Sequence, residues 1–137
     1  MDEEKIVLTK AEKAAIPNGD RSTAVELLRY YIKKVEHTTT EKLHDRTGVP
    51  IRTITDMRSK KCRKRRFDLR YVVAVSIGLH MTADDAFQYV HDCGYGLRKE
   101  IPEEYFLILL LHRCGKISVT AANAFLVENH QAPLTIL

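Results

Sequence analysis

Paired cysteines are what this chain most clearly lacks. Cys62, Cys93 and Cys114 include no CxxC spacing, and three thiols cannot all pair within one chain, so a disulfide framework is not expected and a reducing, cytoplasmic setting is. Long apolar runs are missing too. The longest, Phe106 to Leu111, is far short of the about 20 residues a membrane helix needs, so no membrane partner is expected. The opening MDEEKIVLTK is acidic and has no apolar core of the kind a signal peptide carries. No Gly-rich phosphate loop, carboxylate pair or Ser-His-Asp set stands in a usable context, so the chain is not read as an enzyme, and no catalytic residue or cofactor is assigned. His91-Asp92-Cys93 and His112-Arg113-Cys114 come nearest to a metal motif, but i and i+2 on a helix face different ways, and no metal is assigned.

What the chain has is charge, unevenly placed. The formal net charge of +4 divides into three zones: residues 1–20 carry three Lys against five acids, residues 21–66 carry 14 Lys and Arg against five, and the remainder carries five against eight. A central zone this basic calls for a polyanionic partner.

Helical periodicity dominates the rest, and no strand pattern stands out. Residues 1–20 show no sustained period and end in the turn cluster Pro17-Asn18-Gly19-Asp20, which reads as a mobile arm. Ala24, Leu28, Tyr31, Ile32 and Val35 make one apolar stripe on a helix from about 22 to 36. Thr38 to Thr40 offer hydroxyl caps, with Glu41 in capping-box spacing from Thr38; the helix that follows stops at Gly48. Pro50 opens another helix with Ile54 and Met57 inward, and Lys60 to Arg66 reads as a loop. Asp68 caps a helix ending at Gly78, with Leu69, Val72, Val73, Ser76 and Ile77 facing inward. Thr82 opens one ending at Gly94. A last pair begins at Pro102 and Ser118, and its first member, apolar on nearly every side, needs cover on more than one face. The expected fold is all-α: five short helices over residues 21–96, then a helical pair over 97–137.

The stretch Thr38 to Lys61 organises this pattern as two short helices joined by a tight turn. Within it a hydroxyl cap (Thr39), Leu43, Gly48-Val49, and the apolar pair Ile54 and Met57 keep a fixed order and spacing. In these residues the segment from Thr23 to Gly94 resembles the phage-repressor or Cro-type helix-turn-helix family, also called the xenobiotic-response-element family. The resemblance implies a lambda-repressor-like five-helix domain that binds double-stranded DNA, and a role in transcription regulation. It also implies that Ile51, Arg52, Thr55 and Asp56 read bases and that Thr40 touches a phosphate. Arg52 is the strongest reader, because a guanidinium can bond guanine O6 and N7 together. Asp56 suits this face only by accepting from cytosine N4 or pairing with a nearby arginine. The chain departs from the family pattern at His44, where a small residue is usual, at Pro50 in place of Ser or Thr, and at Arg58 and Lys60 after the second helix.

Arg58, Lys60, Lys61, Arg63, Lys64, Arg65 and Arg66 put seven positive charges into nine residues. Following a base-reading helix, they are expected to clamp phosphates, with log K falling against log salt at a slope of about −4 to −5. A solvated loop is the plainer alternative. For the whole chain the rival is a protein-interaction module that keeps the fold without reading DNA, for which Ile51 would serve equally well. The helical pair has two readings as well: a cap on the core, or a homodimer interface through residues 102–129.

Overall fold

The computed structural model describes residues 4–137, and among these every regular element is a helix. α1 (Lys10–Ala14) lies in the arm. α2 (Ser22–Tyr30) continues into a π-helical turn at Tyr31–Val35. α3 (Thr40–Thr47) and α4 (Ile51–Met57) are joined through Gly48, Val49 and Pro50, and a 3-10 turn at Lys60–Cys62 follows. α5 (Leu69–Gly78), α6 (Ala83–Asp92), α7 (Pro102–His112) and α8 (Val119–Glu128) complete the body.

Side-chain caps set most of these starts, because each satisfies a backbone N–H that the helix leaves unpaired. Asp68 accepts from Arg70 N, Thr82 from Asp85 N and Ser118 from Ala121 N. At α3 the cap is Thr39, which accepts from Lys42 N at 3.2 Å. The expected Thr38–Glu41 box is not formed, and the Thr38 hydroxyl is buried with no partner. The arm also holds a turn its sequence pattern did not reveal: Thr9 and Glu12 cap each other's backbone at 3.1 and 2.9 Å, closing α1 with every residue exposed. Lys60–Cys62, expected as plain loop, is held by Ser59, whose hydroxyl accepts from Lys61 N.

One contiguous apolar cluster runs from Ala24 in α2 to Leu134 beyond α8, so the final helical pair shares its core with the preceding five helices. α5 is its axis, packed against α3, α6, α7 and α8, and every residue from Val72 to Gly78 is buried. One expectation needs correction. Val35 does not join the buried stripe: Glu36 N bonds back to Tyr31 O, the wider π turn rotates the chain, and Val35 ends 43% exposed. α5 ends at Gly78 as expected, but the glycine serves for space and not for a left-handed φ: a Cβ there would sit 2.3 Å from Thr47 Cγ2, leaving no room for a side chain where α3 crosses.

α7 is covered on its buried side by Leu107, Leu110 and Leu111 and on its flanks by Phe106 against Phe125 and His112 against Phe87. Its remaining face is open, with Tyr105 44% exposed.

Candidate nucleic-acid interface

Burial divides the α3–turn–α4 unit into two faces. Leu43, Val49, Ile54 and Met57 are each 2% exposed or less, so the spacing of Ile54 and Met57 commits one side of α4 to the core. Ile51, Arg52 and Thr55 are exposed on the other side. The turn between the helices is built to be rigid. Gly48 takes φ +77° as the left-handed cap of α3, and Pro50, with φ −55° and no N–H to lose, starts α4. Thr47 Oγ1 donates to Leu43 O at 2.7 Å and accepts from Val49 N at 3.1 Å. His44 Nδ1 lies 2.7 Å from Val49 O; a carbonyl only accepts, so Nδ1 carries the proton. That bond gives His44 a place in the turn: the imidazole reaches across it and closes it.

The sequence-assigned readers meet different fates. Arg52 is exposed and in no ion pair among the described residues. Ile51 is 43% exposed, and the Thr55 hydroxyl donates to Ile51 O at 2.9 Å, which leaves its lone pairs free outward. Asp56 is half-buried and bound to Arg65 Nη1 at 2.6 Å, one of the two conditions under which an acid suits this face. Thr40 Oγ1 accepts from Arg58 Nη1 at 2.9 Å, a bond that ties the start of α3 to the end of α4.

The basic run separates into engaged and free groups. Arg63 bonds Asp20 at 3.3 Å and Lys60 O at 3.1 Å. Arg65, besides Asp56, lies 5.0 Å from the Phe67 ring centre, and Arg66 stacks 4.2 Å over Tyr95. Lys60, Lys61 and Lys64 are exposed and in no ion pair among the described residues. Within the basic run these three are free for a ligand, as Arg52 is on α4.

Sequence reasoning missed the residue that shapes this loop. Arg21 donates through Nη1 to Lys64 O at 2.8 Å and Gly19 O at 3.2 Å and through Nε to Cys93 O at 3.1 Å, while its backbone N–H reaches Arg63 O at 2.7 Å. It pins the basic segment to the end of α6. Beside it Asp20 accepts from the Ser22 N–H and hydroxyl; these bonds first, and Arg63 after them, hold its carboxyl below the usual range. Glu36 was missed also: it accepts from Arg46 Nη1 at 3.3 Å and lies 3.4 Å from His80 Nδ1, where the chain beyond α2 and α5 meets α3. No pattern within one helix marks these residues, since each acts on a segment distant in the chain. Among the described residues no cluster of His, Cys, Asp or Glu could hold a metal ion. Compared with protein-family models, with characterised proteins and with solved structures, the chain matches none.

Proposed function

We propose that this chain is a sequence-specific double-stranded DNA-binding protein, a transcriptional regulator, in which α2 to α6 make a lambda-repressor-like helix-turn-helix domain. The observation that carries the reading is the two-faced α4, which buries Ile54 and Met57, turns Arg52, Ile51 and Thr55 outward, and is followed at once by Lys60, Lys61 and Lys64 with no acid partner. A major groove takes a helix and offers base edges to its outer side chains, while the flanking phosphates take cations. Arg52 reads, with Ile51 suited to a thymine methyl and Thr55 to either base edge. Lys60, Lys61 and Lys64 tether; Thr40, Arg58, Arg63, Arg65 and Arg66 join them only by exchanging an intramolecular bond for a phosphate.

With three lysines free and one arginine exchanged, log K should fall against log salt at a slope of about −3 to −4, slightly shallower than the charge count alone implies. Titrating a fluorescent random-sequence duplex at two salt concentrations, then selecting bound sites from a duplex library, tests both parts. Absent or salt-insensitive binding would overturn the proposal and favour a protein contact through Ile51.

The partner proposed for α7 and α8 is a second copy. Glu103 and Glu104 begin α7 while Arg113 and Lys116 follow its end, so an antiparallel two-fold pair sets acid against base at both ends. Between them lie Tyr105 and an apolar cleft of about 160 Å³ lined by Leu110, Arg113, Ile117, Ala121, Ala122 and Phe125. Such a dimer would bind half-sites about 34 Å apart.

A further inference from the structure

We infer that Thr135, clamped by Asn123, is a positioning residue for α4, and that it couples the α8 half of the molecule to the proposed DNA-reading helix. The functional half of this inference rests on the DNA-binding reading; the mechanical half stands on the bonds themselves.

After α8 the chain reverses at His130, with φ +59°, and returns toward the α3–α4 turn. Leu134 is 3% exposed and enters the common core. Asn123, buried in α8, treats the returning segment as a strand would: its Oδ1 accepts from Leu134 N at 2.8 Å and its Nδ2 donates to Thr135 O at 3.2 Å. An amide buried mid-helix is tolerable only when its polar atoms find partners, and here both do. The Thr135 hydroxyl then donates to Thr47 O. Thr47 is the last residue of α3, where carbonyls have no partner in the helix, so the bond fills a vacancy at the point where the chain turns into α4.

Gly48 shows how close this contact is. A Cβ on it would lie 2.8 Å from Thr135 Oγ1 and 2.9 Å from Ile136 O, so the segment rests directly on the turn backbone. The turn already has its own bonds through Thr47 Oγ1 and His44, which close it locally. Thr135 adds what those bonds cannot, a fixed relation between the turn and α8. Losing it should leave the turn formed but free to change its angle to the body.

The test compares the full chain with Thr135→Val, which keeps the shape and removes the hydroxyl, Thr135→Ser, which keeps the hydroxyl, and Asn123→Asp, which loses the amide donor. A fourth variant, Val90→Ala, opens a buried site in α6, away from the turn, and controls for general destabilisation. Amide hydrogen exchange at Gly48, Val49 and Ile54, whose N–H groups are bonded, and the ratio of binding to a selected site over a random duplex, are read for each. Thr135→Val and Asn123→Asp should speed exchange there and lower the binding ratio by about 10-fold, the effect of one hydrogen bond, with Thr135→Ser close to the parent and Val90→Ala changing neither selectively. If Thr135→Val does not fold, the Asn123→Asp and Thr135→Ser pair decides alone. Unchanged exchange at the turn, or acceleration equal to that in Val90→Ala, would overturn the inference. Faster local exchange in a chain that binds no DNA would retain the latch and reject the DNA reading.

Discussion

Removing the Asp56 carboxylate alters two charges at once, since it takes an acid off the outer side of α4 and frees the Arg65 guanidinium bound to it at 2.6 Å. Asp56→Asn is therefore expected to raise affinity for random duplex and steepen the salt slope by about one unit, measured by anisotropy titration. Lys61→Ala should flatten that slope by about one unit for all sequences alike, whereas Arg52→Ala should relax discrimination at one base position. Equal behaviour of these two would show that reading and tethering are not separate. Asp20 gives a pH dependence. Its folded carboxyl titrates below the usual value, so its contribution is present above the unfolded pKa and lost as pH falls through the folded one. Melting temperatures of the parent and Asp20→Ala should thus differ above the unfolded value of about 4 and converge as the pH falls well below it. The thiols divide by burial: Cys93 and Cys114 are each pushed up to about 12, while Cys62 is only half-buried. An aromatic disulfide reagent should modify Cys62 first, and the other two only on unfolding.

At the scale of elements, the α3–α4 turn tolerates few changes. Gly48→Ala places a Cβ in a left-handed conformation and against Thr135, and should cost about 1–3 kcal/mol in denaturant melts. Ile54→Ala, which empties a fully buried site, should cost about 2–5 kcal/mol. The helices themselves were legible in the sequence because their signals are local: a hydroxyl or carboxylate cap, an apolar period, a glycine or proline at the end. Thr39, Asp68, Thr82 and Ser118 all cap where the pattern places a helix start. The π turn was not legible, since the stripe through Tyr31 and Ile32 fits ordinary helical spacing and only the packing widens the turn. The state of the basic run was not legible either. Arg63 meets Asp20 across 43 residues and Arg66 meets the Gly94 carbonyl across 28, so whether a cation is free depends on which segment folds beside it. The buried and exposed faces of α4 could be read from spacing, but the division of the basic run into free and engaged charges could not.

For the molecule as a whole, the shared core decides which variants can test the proposed dimer. Leu107, Leu110, Leu111, Val119, Ala122 and Leu126 pack in the same cluster as Leu43 and Ile54, so cutting the chain after Gly96 would strip one side of α5. The shortened chain should unfold rather than yield a monomeric domain. Substitutions on the open face avoid that: Tyr105→Lys with Ala121→Glu should leave the melting temperature within a few degrees and convert a sedimenting dimer to monomer. An unchanged mass would remove the dimer. The bond from Thr135 to Thr47 spans 88 residues, and this long reach has a consequence for the making of the protein. At about 5–20 residues per second, the turn leaves the ribosome roughly 4–18 s before the segment that fixes it. A nascent chain can thus form α3 and α4 early, yet it acquires their final angle only once Thr135 has followed Thr47 by 88 residues.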